Sequence, residues 1–123
     1  MSIGSIAEIG VGVLFVVGAT FNTVYTLRHH RQFYGEFADK AWLGPARSLI
    51  NRVIVPNGAA FTVAVIVFQI AVAVAIFSRG SAVGPALIIG GCFAALVAAF
   101  SSPGGAVGNL ALALVQFALA ASG

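Results

Sequence analysis

The chain has 123 residues, 60% of them hydrophobic and 7% charged, with a net charge of +3. A soluble domain carries about 25% charged residues, so nine Asp, Glu, Lys and Arg side chains cannot cover a water-facing surface. That excludes an ordinary water-soluble fold and leaves a surface turned to lipid; the length allows one compact unit.

The first element is an apolar stretch over residues 3–27, long enough as helix to cross a hydrocarbon core that needs about 20 residues. Its start carries Glu8 and no Lys or Arg, and it ends on Arg28, His29, His30 and Arg31. A signal peptide has the opposite polarity, with a basic start and a short apolar run. The pattern predicts a retained transmembrane helix.

Residues 28–56 form the longest connection. They hold five of the six cationic residues, from Arg28 to Arg52. The basic residues are too sparse, and too embedded in apolar sequence, to point to nucleic acid. An anionic lipid surface is the partner they fit. Phe33, Tyr34, Phe37 and Trp42 recur here. Between Pro45 and Pro56, Leu49, Ile50, Val53 and Ile54 share a helical face, while Arg47, Ser48, Asn51 and Arg52 cover the rest. Such a segment fits an interfacial helix with aliphatics in acyl chains and bases at head groups. The same face could equally pack under the bundle.

Three further spans follow, over residues 57–77, 82–100 and 106–121. The last is short for a crossing. Ser78, Arg79, Gly80 and Ser81 separate the second span from the third, and Ser101 to Gly105 the third from the fourth. Links this brief make neighbouring helices antiparallel. The fold class predicted is an all-α membrane protein, a four-transmembrane-helix bundle with an interfacial amphipathic segment between helices 1 and 2. Basic residues crowd one connection, and Arg79 stands alone on the other side. The positive-inside bias then puts 28–56 in the cytoplasm and both termini outside a cell inner membrane.

Polar residues within spans are the candidate site. Glu8 and Asn22 are 14 residues apart, close to four turns, and share a face. Asn109 and Gln116, seven apart, share another, and Gln69 lies in the middle of the second span. Glu8, Asn22, Gln69, Asn109 and Gln116 could form a stripe gripping a quinone carbonyl or similar head group. The plainer reading is hydrogen bonding between helices, worth about 0.6 kcal/mol on average in membranes. Glu8, about two turns from the helix start, could also be an ordinary interfacial carboxylate.

No nucleophile–base pair, phosphate-binding loop or paired catalytic carboxylate is visible, so no catalytic residue is expected. His29 and His30 lie outside the apolar spans and lack a facing histidine, which argues against haem. No second ligand cluster supports zinc. The single cysteine, Cys92, excludes an intrachain dithiol centre and reads as a small buried packer. GxxxG spacings at Gly80–Gly84 and Gly104–Gly108 fall at span ends, where packing within the chain explains them most simply.

The last three spans resemble the DoxX-like family of small four-helix membrane proteins. The residues carrying the resemblance are Val67-Phe68-Gln69-Ile70-Ala71-Val72, Ile76-Phe77-Ser78-Arg79-Gly80 and Gly108-Asn109-Leu110-Ala111-Leu112-Ala113, within residues 56–121. The family often has a glutamate early in its second span; Gln69 stands nearest that place here and lacks the charge. The family includes a subunit of a thiosulfate:quinone oxidoreductase, so the resemblance implies an association with membrane redox systems. It brings no catalytic residue.

Three functions remain open from the sequence. One is a non-catalytic membrane subunit or anchor of a larger bacterial complex, partnered by other membrane chains or further copies of itself. Another is a quinone- or lipid-binding redox partner. The third is a small proton-coupled transporter using Glu8. Small multidrug transporters match in size but join their first two helices by a short loop, where 29 residues intervene here between Leu27 and Asn57.

Overall fold

The computed structural model describes residues 2–122, and among them every regular element is helical. Helix α1 (Ile3–Phe21) starts where the Ser2 hydroxyl accepts the Ser5 amide at 3.1 Å, supplying a partner for one of the helix's free N–H groups. Near its other end, Thr20 and Thr23 bond the carbonyls of Val16 and Ala19, four residues back. Such back-bonding competes with the helical ladder, and the helix widens there into a π turn, Asn22–Thr26.

Two short helices follow. Helix α2 (His30–Lys40) is amphipathic, and Arg47 closes its end by donating from Nε to Ala38 O (3.1 Å) and from Nη2 to Ala41 O (3.2 Å). Helix α3 (Gly44–Leu49) begins with proline in its first turn and runs into a second π turn, Ile50–Ile54. The Asn57 side chain donates to Val53 O at 2.8 Å just before the next helix.

Three long helices complete the chain: α4 (Gly58–Phe77), α5 (Val83–Phe100) and α6 (Pro103–Ser122). With the α1 segment Ile3–Thr26, these are the four helices long and apolar enough to cross a membrane. The protein is a multi-pass membrane bundle. Exposed side chains such as Val107 (71%) and Leu114 (68%) would make a costly apolar patch in water; in lipid they are solvated.

The fourth span is longer than the sequence pattern predicts. It starts at Pro103 instead of 106, because Ser102 Oγ accepts the Gly105 amide (3.3 Å) and proline fits the first helical turn. The glycines that resemble a break are the first turn of α6.

Packing pairs α1 with α4 and α5 with α6; α4 lies beside α5, and α1 touches α6 to close the ring. The main core joins Val11 and Phe15 of α1, Val72 and Ile76 of α4, and Leu87 of α5. A second cluster of Tyr34, Ala38, Ala41 and Ile50, joined by Phe100 from the end of α5, fixes α2 and α3 under one end of the bundle. Trp42 ties them on, with its indole N–H donating to Ala98 O and its backbone N–H to Ser101 O, each at 2.9 Å.

The interfacial face splits in two. Ile50 is buried and Ile54 joins its cluster, but Leu49 and Val53 are about half exposed. The π turn breaks the 3.6-residue spacing on which a single face depends. Arg47, expected among head groups, instead serves the end of α2.

Candidate functional site

The five polar candidates do not form one stripe. Glu8 lies near the start of α1 and meets Arg79 of the α4–α5 turn, with Oε1 accepting from Nη2 at 2.7 Å. Arg79 follows the C-cap of α4 and has φ 56°, the left-handed conformation usual for glycine at that place. The carboxylate most open to a functional reading is thus held by the cation on its own side of the bundle. A proton carrier would have to shed that partner in every cycle.

Asn22 and Gln69 form a second pair. Asn22 Nδ2 donates to Gln69 Oε1 at 2.8 Å, linking the π turn to the middle of α4. Gly18 makes the room: a Cβ there would stand 2.6 Å from Gln69 Nε2. The bond joins two helices, the kind of contact the plainer sequence reading expects of such amides.

Asn109 donates to Gly105 O of its own helix at 2.9 Å and bonds no other helix among the described residues. Gln116 differs from all the others. It is wholly buried, and neither its Nε2 nor its Oε1 has a partner among the described residues. It lies between α6, α5 and α1: a Cβ on Gly90 would strike Gln116 Oε1 and approach Phe15 Cζ to 3.0 Å. A buried amide without partners costs about 1–3 kcal/mol in proteins.

Three polar features were missed from sequence. Tyr34 Oη and Thr62 Oγ1 are 2.7 Å apart, and Thr62 donates its own proton to Gly58 O at 2.7 Å. Thr62 has one proton, so Tyr34 is the donor to it. Burial pushes the Tyr34 phenol above its usual 10.0, against a smaller lowering from Thr62. The Thr26 hydroxyl and the Nδ1 of His30 are buried without partners among the described residues. Gly58 gives His30 its space, since a Cβ there would collide with the imidazole. Thr26 lies on the π turn, His30 and Tyr34 on α2 after an intervening turn, and Thr62 on α4, so no local spacing in the sequence marks this set.

Two expectations are corrected here. Cys92 is exposed on α5 instead of buried, because Gly90, Gly91 and Ala94 take the inward positions of that helix. Packing within the chain also does not account for the GxxxG glycines. Gly91 faces the Phe117 ring, but a Cβ on Gly84, Gly104 or Gly108 would meet nothing within 4 Å.

No group of three His, Cys, Asp or Glu residues capable of holding a metal occurs among the described residues. Comparison with family models, with curated proteins and with solved structures gave no match.

Proposed function

We propose that the chain is a non-catalytic subunit or anchor of a larger bacterial inner-membrane complex. The observation that carries this reading is the outer face of α6. Gly104, Gly108, Ala111 and Ala118 are exposed along it, and a Cβ added to either glycine would meet nothing from another helix within 4 Å. Bare glycine on a membrane helix costs packing within the chain and gains close approach for a second helix. Asn22 is bonded to Gln69 and Glu8 is paired with Arg79 of the α4–α5 turn, which leaves Glu8, Asn22 and Gln69 little reach toward a substrate. The DoxX-like resemblance and its redox association agree with an accessory role. The basic residues between Arg28 and Arg52 favour α2 and α3 on the cytoplasmic side.

Affinity purification from native membranes in mild detergent tests the reading. A partner chain recovered in fixed stoichiometry is expected. Recovery of a monomer alone, from membranes where the chain is stable, would refute it.

A second reading, a quinone-binding redox partner, draws on one observation, the partnerless amide of Gln116. Extraction of quinone from the purified chain, lost on Gln116→Leu while the helices persist, would favour it over the first.

A further inference from the structure

An apolar groove of about 430 Å³ runs between α1 and α4 on the outside of the bundle. Val16, Val24, Val74 and Phe77 line it, with the buried Ala19 and Ala73 beneath. Thr20 and Thr23 also line it, but their hydroxyls are bonded to Val16 O and Ala19 O. The groove therefore offers its occupant hydrocarbon contact and no free hydrogen-bond donor. One end is marked by Thr23 and Val24. Arg28 follows Val24 by four residues, just past the π turn, and a second pocket of about 270 Å³ is formed there by Arg28, His29, His30, Arg31 and Gln32.

The two arginines are exposed and unpaired, since the sole ion pair among the described residues is Glu8–Arg79. The remaining acids, Glu36 and Asp39, lie further along α2. Helix α2 begins in the same pocket with no side chain capping its first amides, and its dipole adds positive potential.

We propose that this surface binds one anionic phospholipid, with its phosphate between Arg28 and Arg31 and an acyl chain along the α1–α4 groove. Charge decides the occupant. A neutral apolar ligand would leave the arginines unused. A soluble anion would leave the groove unfilled. A diacyl lipid with a phosphodiester satisfies both across the span of its glycerol. The proposal needs only that the four long helices cross the membrane, and it stands apart from the subunit reading.

The test is native mass spectrometry of the chain released from bilayer discs of phosphatidylcholine and phosphatidylglycerol in equal amounts. Enrichment of one phosphatidylglycerol per chain is expected. At about 1 kcal/mol for each basic residue near the surface, Arg28→Gln with Arg31→Gln should reduce that enrichment about ten-fold or more. Thr20→Phe with Val74→Phe, two exposed positions on the groove walls, should reduce it comparably. Arg52→Gln, an exposed base outside the pocket, should leave it unchanged. Circular dichroism of each variant confirms that the helices persist, and Arg28→Lys with Arg31→Lys provides a version that keeps the charge and should retain most binding. Equal loss on Arg52→Gln, or full binding after the groove is filled, would mean diffuse attraction to the surface and would overturn the proposal. So would an absence of enrichment in the unaltered chain.

Discussion

At the scale of single residues, polar groups inside the membrane have two fates. Asn22 and Gln69 share one hydrogen bond at 2.8 Å, while neither end of the Gln116 amide has a partner among the described residues. A double-mutant cycle with Asn22→Leu and Gln69→Leu should give a coupling of about 0.6 kcal/mol, and at most about 1.7, read from unfolding in detergent. Zero coupling would mean that the pair does not form. Tyr34 yields a pH prediction. Its folded pKa is raised, so the neutral phenol favours the fold; that contribution is complete below the unfolded value of about 10 and is lost as pH rises through the folded one. Thermal stability should fall more steeply above pH 10 in the unaltered protein than in Tyr34→Phe. The variant itself should cost about 1 kcal/mol at neutral pH through the lost bond to Thr62. Identical alkaline slopes would show that Tyr34 is not held as described.

At the scale of elements, glycine divides the helices into inner and outer contacts. Gly90 stands against Gln116 and Phe15, and Gly91 against Phe117. Gly90→Leu should force α5 and α6 apart and lower the yield of folded protein, as seen by gel filtration and helix content; a normally folded Gly90→Leu chain would contradict the packing. The spans themselves were legible because apolar runs of this length have few other uses. The start of α6 falls three residues earlier than expected, since Gly104 and Gly105 read as an entry turn ahead of the helix whereas they already belong to its first turn. Helical periodicity assigned Arg47 to the head groups. Its real partners, Ala38 O and Ala41 O, depend on how α3 folds back against α2, which no local pattern encodes. The Glu8–Arg79 and Asn22–Gln69 pairs were hidden likewise, being 71 and 47 residues apart in sequence.

At the scale of the whole molecule, the bundle presents hydrocarbon outward and carries α2 and α3 beneath one end. Cys92 tests that disposition. It is exposed on the middle of α5, and a thiol needs water to form the reactive thiolate. In intact bilayers a charged maleimide should leave it unlabelled, and full labelling should appear only after denaturation in sodium dodecyl sulfate; rapid labelling in the bilayer would place α5 beside water. The proposed association with a partner chain rests on the open face of α6. Gly108 is exposed, and a Cβ added there would meet no side chain and no other helix within 4 Å, so Gly108→Leu should leave the isolated bundle folded. The most direct measurement is the native mass of the particle extracted in mild detergent from membranes carrying either the unaltered chain or Gly108→Leu. An assembly larger than one chain is expected for the first and a folded, smaller particle for the second. An identical mass for both would contradict the proposed association.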